Sequence, residues 1–167
     1  MVTPYTKYKK ISYILSETPD LSGKMAFVFL DKIIEPHDVL KFTLYGHSKH
    51  NQGLDSLIAI NKDAMIVTSQ KAEKEIIIKN LNINDDLLDV LCSLGNFPNY
   101  LKISKINSKL MQTNFCWNIE YCDEFFSFVF MDEYIDSSKI VLIEQELDNK
   151  GISYERKESK GIKLKNQ

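Results

Sequence analysis

From Asn114 to Tyr121 apolar and polar positions alternate without a break: Phe115, Trp117, Ile119 and Tyr121 fall on one side, Asn114, Cys116, Asn118 and Glu120 on the other. A period of two predicts a strand with one face in a core, where Trp117 belongs, and the other in water. Phe125 to Met131 follows after the short break Cys122-Asp123-Glu124, so the two runs predict a tight hairpin. The same alternation recurs in Lys9 to Leu15, around Ile11, Tyr13 and Leu15, in Val39 to Tyr45, around Leu40, Phe42 and Leu44, and in Tyr100 to Ile106, around Leu101 and Ile103. Lys24 to Leu30 is a nearly continuous apolar run and also reads as a strand. Ala64 to Thr68 and Glu75 to Lys79, rich in Ile and Val, predict a second hairpin, and Ile152 to Arg156 a last strand.

Helical spacing is clearest from Asn84 to Leu94. Leu87, Val90, Leu91 and Leu94 form one stripe, Asn84 suits the N-cap, Asp85 and Asp86 suit the first turn, and Gly95 suits the end. A second helix begins at Asp136 or Ser137 and runs to about Lys150, with Ile140, Ile143 and Leu147 inward and Gly151 closing it. After a polar loop, Gly46 to Gly53, Leu54 to Ile60 has a length that also suits a strand, but Leu54, Leu57 and Ile58 favour a short helix.

About nine strands and two or three helices, without regular strand-helix alternation, predict an α+β fold: helices on one face of a mainly antiparallel sheet. The 167 residues suit a single domain, here residues 1–158, followed by a basic C-terminal tail at 159–167.

Composition narrows the function more than the fold. A hydrophobic fraction of 44% and a charged fraction of 26% exclude disorder and coiled-coil or collagen-like classes. The amino terminus has no signal-peptide pattern and no apolar run has bilayer length, which predicts a cytoplasmic protein without a membrane span. Cys92, Cys116 and Cys122 lack the spacing of a zinc or redox pair and read as free structural thiols, a Cys116 to Cys122 crosslink or a reactive Cys122 being the lesser alternatives. Arg156 is the only arginine, which argues against a sequence-specific nucleic-acid reader. No P-loop, dinucleotide fingerprint, nucleophile elbow or zinc-protease motif is present, so neither cofactor nor metal is expected.

Charge is segregated. Residues 120–149 hold nine acidic residues against the single base Lys139. Glu120, Asp123 and Glu124 at the hairpin, with Asp132, Glu133 and Asp136 after it, form a candidate acidic surface, and Tyr134 a candidate interface anchor. This favours a non-enzymatic binding module, an immunity- or antitoxin-like inhibitor that covers a basic partner such as a nuclease toxin. The competing class is a small hydrolase or transferase acting on a phosphorylated or nucleotide substrate, with His37, His47 and His50 around its site and one of them as general base. A structural or adaptor accessory protein is the third class.

Overall fold

The computed structural model describes residues 5–15, 20–45, 50–70, 73–95, 101–106, 115–122, 125–131 and 137–164. Among them the chain runs β1 (Tyr5–Leu15), α1 (Asp20–Ile33), β2 (Val39–Tyr45), α2 (His50–Ile60), β3 (Met65–Gln70), β4 (Glu73–Lys79), α3 (Asp85–Gly95), β5 (Leu101–Ile106), β6 (Phe115–Cys122), β7 (Phe125–Met131), α4 (Ser137–Asn149) and β8 (Tyr154–Leu164). The strands form one sheet in the order β3-β4-β2-β5-β6-β7-β1-β8, every neighbouring pair antiparallel. The expected α+β architecture holds, with eight strands and four helices among the described residues rather than about nine and two or three. No helix among them is long and apolar enough to cross a membrane.

Register sorts the strand residues onto two faces. Across the middle of the sheet Ile76, Phe42, Ile103, Ile119, Phe128 and Ile11 fall in one row, with Ile78, Leu40, Trp117, Phe130, Phe126 and Tyr13 beside it, and all are buried. Met25, Phe29, Leu57, Leu87, Leu91, Ile140, Ile143 and Leu147 of the helices join them in one core. The helices lie side by side as α2, α3, α1, α4, with α2 near β2 and α4 above β1 and β8. Phe29 of α1 is the hub, its ring 4.8 Å from Phe128, 5.1 Å from Phe126 and 5.6 Å from Tyr13. Tilted and edge-on aromatic pairs of this kind add about 0.5–1.5 kcal/mol each beyond area burial.

The largest correction concerns Lys24 to Leu30, which is helix α1 and not a strand. A continuous apolar run fits either a buried strand or a helix covered on most sides. The second applies: α1 lies between α3 and α4 on top of the sheet and buries Met25, Ala26, Val28, Phe29, Leu30 and Ile33. Gly23 lets α1 and α3 approach so closely that a Cβ there would lie 2.5 Å from the Leu91 carbonyl oxygen and 2.6 Å from the Cys92 Cα.

Two of the expected helix ends are seen in detail. The Leu87 N–H donates to Asn84 Oδ1 at 3.0 Å, an N-cap bond. At the end of α4 Gly151 takes φ 66, its N–H donates to the Asp148 carbonyl and the Ile152 N–H to the Leu147 carbonyl, a Schellman closure whose Ile152 and Leu147 side chains are both buried in the core. Two boundaries move. α2 starts at His50 and contains Gly53, so the predicted 46–53 loop is helical in its second half, held by Leu57, which is fully buried. β8 continues to Leu164 on β1, so residues 159–164 are paired strand and not a tail.

The helix-free face of the sheet is polar but not simply wet. Thr43, Ser104, Asn118 and Ser127 are buried on it. Lys41–Glu75 at 3.7 Å and Lys102–Glu120 at 3.9 Å stand over this floor, and the Ser104 hydroxyl donates to Asn118 Oδ1 at 2.7 Å.

Candidate functional site

The two described histidines, His37 and His50, lie on different elements. His37 is exposed in the turn between α1 and β2, His50 opens α2 beyond the other end of β2, and His47 lies outside the described residues. The seven residues of β2 that stand between His37 and His50 in sequence span about 20 Å at 3.3 Å per residue.

His37 nevertheless lines a cleft of about 410 Å³ with Ile34, Glu35, Pro36, Asp38, Asn80, Leu81 and Asn82. The turn beneath it is strongly held. Asp38, 8% exposed, accepts the Glu35 N–H at 2.9 Å on one oxygen and Lys105 Nζ at 2.9 Å on the other, while Glu35 pairs with Lys139 at 3.4 Å. The turn is thereby tied to β5 and to α4. His37 and Asn80, both in the cleft's lining, adopt left-handed backbone angles, φ 70 and 54. Left-handed non-glycine residues cost free energy and concentrate at functional sites. The cleft offers one imidazole and amide groups around a carboxylate that is already engaged. No group of three or more His, Cys, Asp or Glu residues among the described ones is placed to hold a metal.

Of the acidic residues, Glu120 sits on the helix-free face of β6 and pairs with Lys102, so its charge is locally balanced. Glu144 pairs with Arg156 at 3.1 Å and Glu146 with Lys150 at 3.7 Å, which further dilutes the negative field of residues 120–149. Asp123, Glu124, Asp132, Glu133, Tyr134 and Asp136 lie outside the described residues. The strand between the two acidic groups is described: β7 puts Phe125 and Met131 at opposite ends of the sheet, about 20 Å apart. Cys116 and Cys122 are both on β6, six positions apart and again about 20 Å, far beyond disulfide reach.

One surface went unread in the sequence. Val141 and Leu142 on α4 are 52% and 55% exposed. At 100° per residue the run Ile140-Val141-Leu142-Ile143 spans most of the helix circumference, so it cannot all face inward. Ile140, Ile143 and Leu147 take the core, as expected, which leaves this adjacent pair in solvent. The run of four apolar residues was the signal that could have revealed it. No protein-family model, no curated protein and no solved structure matches the chain.

Proposed function

We propose that the chain is a cytoplasmic, non-enzymatic protein-binding module of the immunity or antitoxin kind, which docks on a basic partner such as a nuclease toxin through the start of α4 and the acidic segment before it. The exposed pair Val141 and Leu142 carries this reading, standing five and six positions after Asp136. Apolar anchors freed from water on docking supply affinity, and neighbouring carboxylates supply encounter rate and partner choice. Asp132, Glu133, Tyr134 and Asp136 are the residues assigned to that acidic part. With Glu120 paired to Lys102, the hairpin group Glu120, Asp123 and Glu124 takes the secondary role of long-range steering.

The test is capture of partners from a lysate of the native cells by three tagged forms: wild type, Val141→Ser/Leu142→Ser, and Asp132→Asn/Glu133→Gln/Asp136→Asn. The expected result is a stoichiometric basic protein held by wild type and lost by both variants, with association slowing as salt rises. Equal capture by all three forms, or association indifferent to salt, would sink the proposal.

The cleft supports a second reading, a hydrolase or transferase for a phosphorylated or nucleotide substrate, through the paired left-handed residues His37 and Asn80 on its walls. In that case His37→Ala abolishes a turnover that Val141→Ser/Leu142→Ser leaves intact.

A further inference from the structure

Strand β8 is the last strand of the sheet and pairs with β1 along all of its length, Tyr154 with Leu15 through Leu164 with Tyr5, without a register shift. Among the described residues nothing pairs with its outer edge, and positions 155–160 are all exposed. The opposite edge strand, β3, is shorter and carries a register irregularity. A long, regular, exposed edge is a template for strand addition unless its charges prevent it.

Here the charges select a partner. If a second copy adds antiparallel to β8 about a twofold axis normal to the sheet, both helix layers stay on one side. Residues that face each other must then have the same parity. The register that pairs the entire strand with itself, Tyr154 opposite Leu164, is centred on Ser159. It sets Glu158 opposite Lys160 and Glu155 opposite Lys163, each twice by symmetry, and sets no like charges opposite one another. Centring on Glu158 puts that residue opposite itself and Arg156 opposite Lys160; centring on Lys160 puts that residue opposite itself and Lys157 opposite Lys163. We infer that β8 is a self-recognition edge, through which two copies of this chain join into one continuous antiparallel sheet with Ser159 on the twofold axis. The inference goes beyond the binding reading and uses the sheet edge instead of α4.

Sedimentation velocity of the full chain, over a concentration series, should show a monomer-dimer equilibrium. Lys160→Glu, which turns two opposite-charge pairs into two like-charge pairs, should weaken it about tenfold. Directly opposed residues of antiparallel strands have Cα atoms about 4.5–5.5 Å apart, so Ser159→Cys should oxidise to a 159–159 linked dimer, identified by mass spectrometry of the joined peptides. Gln145→Cys, exposed on α4, is the control for random crosslinking. A monomer at every concentration, a dimer unchanged by Lys160→Glu, or a Ser159→Cys chain that crosslinks no better than the control would overturn the inference. None of these results depends on whether a lysate partner is found.

Discussion

The Tyr13 hydroxyl donates a 2.9 Å hydrogen bond to Glu144 Oε1, joining β1 to α4 across 131 positions of sequence. Arg156 on β8 holds the same carboxylate at 3.1 Å and also reaches Glu158 at 2.9 Å, which is paired with Lys9 at 3.1 Å. A chain of alternating charge thus runs along the seam where α4 meets the sheet. It ends on a phenol packed edge-on against Phe29 and Tyr154, with centroids 5.6 and 5.1 Å away. The seam fixes the helix that carries Val141 and Leu142.

Tyr13→Phe keeps the ring and removes only the bond to Glu144. Hydrogen bonds to charged groups contribute about 1.5–3 kcal/mol, and Glu144 retains Arg156, so a loss of about 1–2 kcal/mol in urea unfolding is expected. A variant as stable as wild type would show that the bond adds nothing beyond what water supplies.

Alkaline pH should destabilise the protein through the same residue. Burial, reinforced by the neighbouring Glu144 charge, raises the Tyr13 ionisation far above the usual phenol range, and burial likewise raises that of Tyr154. Their folded values exceed their unfolded ones, so the unfolded chain releases protons first once pH passes about 10, and stability falls from there upward. Below that pH both groups are protonated in either state and contribute no slope. Unfolding midpoints measured between pH 8 and 11 should drop less steeply for Tyr13→Phe than for wild type.

Gly23→Ala is expected to destabilise strongly despite the better helix propensity of alanine. The added Cβ would meet the backbone of Leu91 and Cys92, which cannot swing aside as a side-chain tip can. Forcing α1 and α3 apart should cost about 1–3 kcal/mol, read as a lower thermal midpoint; a raised midpoint would mean that the helices separate freely.

Ser127→Ala should be neutral or stabilising. The hydroxyl of Ser127 is fully buried on the helix-free face and has no hydrogen-bond partner among the described residues, so its removal relieves an uncompensated desolvation. A loss above about 1 kcal/mol on chemical denaturation would contradict that account.

Strand periods and helix caps were legible because they are local. The alternation around Trp117 and Ile119, the Asn84 cap and the Gly151 stop each depend on a few adjacent residues, and each reappears in the structure. The segment from Lys24 to Leu30 misled because burial on several sides erases the polar stripe that marks a surface helix. The spacing Leu21, Met25, Phe29, Ile33, four residues apart throughout, was the available sign of a helix. The sequence also contained the charges of the candidate surface but not their partners, so Lys102 beside Glu120 and Arg156 beside Glu144 became visible only in the fold.

By itself, then, the chain's pattern determined an antiparallel sheet with helices, the buried stripe of α3 and α4, and the position of the β6–β7 hairpin, since each follows from the repeat of its own element. The tertiary structure decided the order β3-β4-β2-β5-β6-β7-β1-β8, the burial of α1, the separation of His37 from His50, and the exposure of Val141, Leu142 and the β8 edge. These depend on contacts between residues far apart in sequence. A local hydrophobic period specifies which face of an element is apolar, but not which other element covers it.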